Sequence, residues 1–232
     1  FPDIPCIRVD GESTRRRNGL EQQLQLLGSQ PGILVGTQIL AKGHDLPLLS
    51  FVGVVGVDEG LFSADFRAPE KLAQLLIQVS GRSGRSTRAG TVLIQTHPPS
   101  NPILLQLLNG VYHQFAQTAL IERKCAELPP YTFMALIRCE SIHQESSMRF
   151  LAEVTEILKS TIQHRKYNVH SSGSMPAPMP KRAGKSRWQL ALTANSRHAL
   201  QQLLVATQFD IHQLKSARKV RWSIDIDPMD FS

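Results

Sequence analysis

Gln78-Val79-Ser80-Gly81-Arg82-Ser83-Gly84-Arg85 is the stretch on which the fold and the chemistry of this chain turn. It closes a helical apolar pattern that runs from Glu70 to Val79, with Pro69 suited to the first turn. An apolar run from Thr91 to Thr96 follows it and reads as a strand. Arginines commonly finish helices, where a cation meets the negative end of the helix dipole. That accounts for one arginine. It leaves the second arginine, both glycines and the glutamine four residues ahead without a reason. A guanidinium that must reach a phosphoryl group held elsewhere supplies one. It needs a tight turn with no bulky neighbours, and its charge on a transferring phosphoryl group is worth roughly 10³ to 10⁵ in rate.

Outward from this stretch, short apolar runs alternate with helical patterns. Ile4 to Val9 reads as a strand, ended by Asp10-Gly11. A helix from about Arg15 sets Leu20, Leu24 and Leu27 on one face and stops at Gly28. Ile33 to Val35 and Phe51 to Val57 read as further buried strands. Such alternation predicts an α/β domain with a parallel sheet over residues 1–100. Residues 101–128 read as one long connecting helix, stopped by Pro129-Pro130, which places a domain boundary there. Beyond it the pattern becomes a strand at Thr132 to Glu140, a helix at Glu145 to Ile162, a strand around Trp188, a helix over 197–214 and a strand at Val220 to Ile226. Residues 129–232 are therefore expected to form a smaller α+β domain in the order β-α-β-β-α-β.

Composition limits the function classes. Of 232 residues, 41% are hydrophobic and 19% charged, enough apolar side chain for a core and too little charge for a disordered chain. The net charge of +7 favours an acidic partner, nucleic acid first among them. Cys6, Cys125 and Cys139 lie far apart, which argues against a zinc site or a disulfide framework and fits a reducing cytoplasm. No apolar run is long enough to cross a membrane. The first residue, Phe1, suggests a piece of something longer.

A second segment, Gly36-Thr37-Gln38-Ile39-Leu40-Ala41-Lys42-Gly43-His44-Asp45, puts a hydroxyl, an amide, a lysine and a glycine just after a buried strand. Backbone N–H groups and short polar side chains at such a strand end suit nucleic-acid phosphates. His44 as a metal ligand or general base lacks support, since Asp45 alone does not complete a triad. Ser171 to Arg187, rich in Gly, Pro and Ser, reads as an exposed connection. Its Lys181, Arg182, Lys185 and Arg187 could meet phosphates; an ordinary solvated loop fits the same residues. Two apparent nucleotide motifs fail. Gly184-Lys185-Ser186 lacks the glycine a phosphate loop needs five positions earlier, where Met179 stands, and Asp58-Glu59 precedes it by far too much to be its acidic partner.

Gln78 to Arg85 resembles motif VI of superfamily-two helicases, Q-x-x-G-R-x-G-R, in full, and Gly36 to Asp45 resembles their motif V. Longer strings narrow the resemblance to the primosomal, replication-restart helicases of the PriA family. These are Asp65-Phe66-Arg67-Ala68-Pro69-Glu70-Lys71 (the family has arginine last), Leu128-Pro129-Pro130-Tyr131, Pro176-Ala177-Pro178 with Gly184 and Arg187-Trp188-Gln189, and Asp225-Ile226-Asp227-Pro228.

The resemblance implies a partial RecA-like helicase lobe 2 followed by the C-terminal domain of an ATP-dependent 3′-to-5′ DNA helicase that restarts stalled forks and begins primosome assembly. It implies Arg85 as the finger on ATP and its Mg²⁺, Arg82 as an accessory contact and Gln78 as a γ-phosphate sensor. Thr37, Gln38, Lys42, Gly43 and His44 become DNA-side or coupling residues. The family's Walker A loop, acidic motif, DNA-end-binding domain and cysteine-rich zinc insert are expected upstream of Phe1, so this chain alone should not hydrolyse ATP. Branched or single-stranded DNA, other primosome proteins and the single-stranded DNA-binding protein are the implied partners. The acidic tail of that last protein would meet Arg197 and Gln201, one turn apart on a helix; an ordinary exposed helix face fits these two as well. A non-catalytic DNA-binding or partner-docking module is the alternative reading.

Overall fold

The computed structural model describes residues 3–9, 25, 30–37, 49–63, 65–80 and 90–231. They form two compact units. The first takes in residues Phe1–Leu61 and Glu70–Val111, the second Phe62–Pro69 and Tyr112–Ser232.

In the first unit two short parallel ladders form where apolar runs were expected. Strand β1 (Cys6–Val9) pairs with β2 (Ile33–Gly36), and β3 (Phe51–Val54) pairs with β4 (Thr91–Ile94). They are separate two-stranded sheets among the described residues, where a single parallel sheet was expected. Helix α1 (Val57–Leu61) starts where β3 was expected to continue, because Gly56 turns the chain at φ 72°. Helix α2 (Ala68–Ser80) buries Leu72, Ala73, Leu76 and Val79, one face at helical spacing. Gly60 of α1 lies so near α2 that an added Cβ would stand 3.1 Å from that of Leu72. The carboxylate of Asp58 ties the ends of β3 and β4: it accepts from the Thr96 hydroxyl at 2.6 Å and from the backbone N–H of His97 at 3.1 Å. The hydroxyl of Thr96, then the His97 side chain, holds its pKa below the usual carboxylate value.

The expected long helix over 101–128 is two helices. Asn101 caps α3 (Pro102–Leu108) by accepting from the N–H groups of Ile103 and Leu104. The chain then turns at Gly110, φ 72°, before α4 (Tyr112–Cys125) begins. The two units accordingly divide at Val111, upstream of the boundary expected at Pro129. The Pro129–Pro130 bond is cis.

The second unit follows the expected order: β5 (Phe133–Ser141), α5 (Gln144–Arg165), β6 (Val169–Arg182), β7 (Lys185–Ala194), α6 (Arg197–Gln213) and β8 (Arg221–Ile226). The strands make one antiparallel sheet in the order β6-β7-β5-β8, a split β-α-β arrangement with both helices on one face. Phe150, Leu151, Val154 and Leu158 of α5 and Leu200, Leu203, Leu204 and Ile211 of α6 pack on Ala135, Ile137, Leu190 and Leu192. Cys139 joins this core, where burial pushes its thiol up to about 11 and keeps it protonated. Met134 and Leu136, on the opposite face of β5, are buried too. Tail residues cross that face: Asp227 donates its N–H to the Met134 carbonyl, and Phe231 meets Phe66 edge-on at 5.5 Å.

Phe150 sits fully buried at the centre of the core. Phe150→Ala should destabilise this unit by about 3–5 kcal/mol through lost burial and the cavity left behind. A urea-unfolding midpoint that hardly moves would contradict the packing described.

Candidate nucleic-acid interface

Residues Ser171 to Arg187 are not the open connection expected from their prolines. They form most of a β-hairpin. Strand β6 lies at the sheet edge, where proline is tolerated because one side of the backbone needs no partner. The register shifts twice, between Ser171 and Ser174 and between Pro176 and Lys181. At the first shift Gly173 takes φ 78°, and the Ser172 hydroxyl accepts the N–H of Ala191 in place of a backbone carbonyl. Pro178 and Pro180 fall within the second, outside the ladder. Pairing resumes at Lys181 with Ser186 and Arg182 with Lys185, leaving a two-residue turn, Ala183-Gly184, with φ 48° and 75°. Positive φ at both positions is the turn whose twist matches that of the strands.

This hairpin fixes four cations. Lys181 and Arg182 are exposed at the end of β6; Lys185 and Arg187 are half-buried at the start of β7. The pairing of β7 and β8 with central β5 brings further charges into line. One row across the sheet reads Arg187, Glu140, Arg221, and the next reads Gln189, Arg138, Ser223. Because Cys139, Trp188 and Trp222 point to the helices, these two rows share the opposite face. Lys185 Nζ lies 3.0 Å from Glu140 Oε1, and Arg221 Nη1 lies 3.7 Å from the same oxygen. The hydrogen bond from Lys185 leads in holding the Glu140 pKa down, and the charges of Lys185, Arg221 and Arg187 add to it. Arg138 is held by Asp225 at 3.0 Å and by the carbonyl of Asp230. Around these residues lies a cavity of about 440 Å³. Its lining includes Arg138, Arg182, Lys185, Arg187 and Arg221 against one carboxylate, Glu140. Such an excess of positive charge suits phosphate.

Sequence reasoning named the hairpin cations as site residues and did not name Arg138, Gln189 and Arg221 among them, although they line the same cavity. Their signal was the alternation itself, Arg187-x-Gln189 and Arg221-x-Ser223, which reads as a solvent face until the pairing is known.

The other expected site residues fall elsewhere. Gln78 is exposed in the last turn of α2, and Thr37 is exposed directly after β2. Arg82, Arg85, Gln38, Lys42, Gly43 and His44 lie outside the described residues. Arg197 opens α6, 3.0 Å from Asp227 and over the ring of Phe133 at 5.2 Å. Gln201 is exposed one turn on. The Asp65 to Lys71 string has a packing role. Asp65 closes a turn by accepting the N–H of Arg67, and Phe66 lies under the Arg123 guanidinium at 4.7 Å.

Comparison with known proteins agrees with this second unit. Residues 124–229 match the family model described as the primosomal protein N C-terminal domain. Over the whole chain, the replication restart protein PriA of Haemophilus influenzae is 41% identical, with 31% of its own length matched. The chain belongs to the PriA family. Further members similar to it are the replication restart proteins PriA of Synechocystis, 32% identical over 99% of the chain and 27% of that protein, and of Bacillus subtilis, 30% identical over 98% and 28%. The chain thus spans about three tenths of the length of these relatives. Among the described residues no helix is long and apolar enough to cross a membrane.

The depressed Glu140 pKa carries a sign for stability. Its contribution is present above the unfolded value of about 4.5 and is lost as pH falls through the lower folded value. Thermal melts should therefore show Glu140→Gln less stable than the parent from neutral pH down to about pH 5, with the gap closing below pH 4. A gap that widens on acidification would mean Glu140 does not hold these cations.

Proposed function

We propose that this chain is the trailing part of an ATP-dependent 3′-to-5′ DNA helicase that restarts stalled replication forks and starts primosome assembly. In this reading residues 1–100 are part of a RecA-like lobe 2, and the second unit holds branched or single-stranded DNA. The observation that carries the DNA contact is the gathering of Arg182, Lys185, Arg187 and Arg221 with one carboxylate, Glu140, around a cavity on a packed sheet, beside an Arg138 already held by Asp225. Cations set on paired strands lose less freedom on binding than cations on a loop. They neutralise phosphates and position the duplex or strand without reading its sequence.

The nucleotide chemistry in this reading belongs to Arg85, with Arg82 and Gln78 beside it. ATP and Mg²⁺ are held mainly by a lobe carried on other polypeptide. Arg85 would bring positive charge to the γ-phosphoryl group, and Thr37, Gln38, Lys42, Gly43 and His44 would couple DNA to that cleft. Zinc belongs to a cysteine-rich insert elsewhere in such helicases, and the protein works in the cytoplasm. Arg197 and Gln201 would meet the acidic tail of the single-stranded DNA-binding protein. The Arg197 pair with Asp227 means that such a tail must displace or share one carboxylate already there.

A second reading, a non-catalytic DNA-binding or docking module, is favoured for the chain by itself: its nucleotide-facing residues have no phosphate loop in this sequence to serve.

Two measurements separate these readings. Joined to a lobe that carries the phosphate loop, the chain should support DNA-stimulated ATP hydrolysis, and Arg85→Ala should lower it by roughly 10³-fold or more; hydrolysis that survives the change removes the finger. In the chain alone, replacing Lys181, Arg182 and Lys185 with alanine should flatten the plot of log affinity against log salt by about 0.7 to 0.9 for every phosphate that is no longer neutralised. An unchanged slope would leave the hairpin without a DNA role.

A further inference from the structure

We infer that the cavity beside the hairpin seats one unpaired nucleotide of the bound DNA, its base on Gln189 and Arg187 and its phosphate on the surrounding cations. This deepens the DNA reading above and rests on it. The observation is a mismatch in hydrogen bonding. Gln189 is 3% exposed, and its Oε1 is buried with no partner; Nη1 of Arg187, on the same strand face two residues away, is likewise buried and unpartnered. Buried polar groups left unpaired are costly, and a ligand that pairs them regains that cost.

The chemistry of the two atoms selects the ligand. Arg187 Nη1 is a donor and asks for an acceptor, which phosphate would satisfy. Gln189 Oε1 is an acceptor and asks for a donor. A phosphodiester has none. A nucleobase edge carries donor and acceptor on neighbouring atoms, as in the amine and ring nitrogen of adenine or cytosine. Arg182, Lys185 and Arg221 remain for the phosphate. The cavity, about 440 Å³, falls in the range of small-ligand sites, which run from about 300 to 1,000 Å³. A base inside a duplex cannot enter it, so the nucleotide comes from a single strand, a gap or a branch point, where unstacking costs least.

The two tryptophans, Trp188 and Trp222, pack against the helix side of the sheet, so binding is read by titration calorimetry. The test titrates the 232-residue chain with a single-stranded trinucleotide and with the same trinucleotide made abasic at every position, which keeps the phosphates and removes the bases. The base-bearing form should bind roughly tenfold more tightly; the abasic form should bind Gln189→Leu and the parent alike. Gln189→Leu should lose that tenfold preference while unfolding as cooperatively as the parent. If leucine disturbs folding, Gln189→Met serves as the variant closer in shape.

Equal binding of the two trinucleotides by the parent, or a preference that survives the change at Gln189, overturns the nucleotide seat while leaving phosphate binding by the hairpin standing. No binding of either, at low salt, overturns the DNA reading as well. An acidic peptide that binds the parent, and loses affinity in Gln189→Leu, where the trinucleotides do not bind would assign the cavity to a protein partner and overturn the proposal.

Discussion

Glu140 stands between Arg187 and Arg221 on the middle strand of three, with Lys185 reaching it from the hairpin turn. Each arginine therefore has an opposite charge directly across the ladder, a favourable cross-strand pairing that keeps the two cations one strand apart. The placement of Glu140 is not set by the charges. Ala135, Ile137 and Cys139 face the helices and are buried, which sends Arg138 and Glu140 to the other side. A slip of one residue would exchange the two faces. The apolar core therefore fixes the register, and the register gathers the cations. Folding and the binding surface depend on the same alternation in β5, β7 and β8.

That dependence explains what could be read from the sequence. The order of elements in the second unit was legible because each strand alternates and each helix repeats its leucines at helical spacing. The hairpin was not legible, since Pro176, Pro178 and Pro180 argue against a strand unless it lies at an edge and bulges. Neither condition can be read locally. The break between α3 and α4 was marked only by Asn109-Gly110, a signal outweighed by the apolar residues on either side. Arg138, Gln189 and Arg221 looked like separate solvent-facing residues because their association comes from pairing between strands far apart in sequence; Lys185 and Glu140 are 45 residues apart. Arg82 and Arg85, whose spacing opened the functional reading, lie outside the described residues, and their reading still rests on the sequence motif.

The Asp65 to Lys71 string teaches a related point. As a mark of resemblance it lies between two helicase motifs. Physically it supplies a wedge: Phe66 meets Phe231 edge-on and lies under Arg123, while Arg67 donates to the sulfur of Met229 at 3.4 Å. Arg123 also donates to the carbonyls of Pro129 and Phe66, at 3.3 and 3.4 Å. One guanidinium thus joins α4, the Pro129-Pro130 junction and the wedge. Three of the strings that carried the resemblance, Asp65 to Lys71, Leu128 to Tyr131 and Asp225 to Pro228, meet here in space or border it.

The hairpin turn bears on how the cations work. Ala183 holds φ 48°, a conformation that costs a residue with a Cβ, where asparagine is better suited beside Gly184. A sequence optimised for stability alone would not place alanine there. The strain is tolerated because the turn is short: Arg182 and Lys185 are paired partners directly across the ladder, and a longer, relaxed loop would separate them. Ala183→Asn should therefore stabilise this unit by up to about 1 kcal/mol, read from its unfolding curve, while leaving DNA binding as it is. A change in affinity that is equal at every salt concentration would show that the side chain at the tip itself meets the DNA; unchanged affinity leaves the contacts to the paired cations below it.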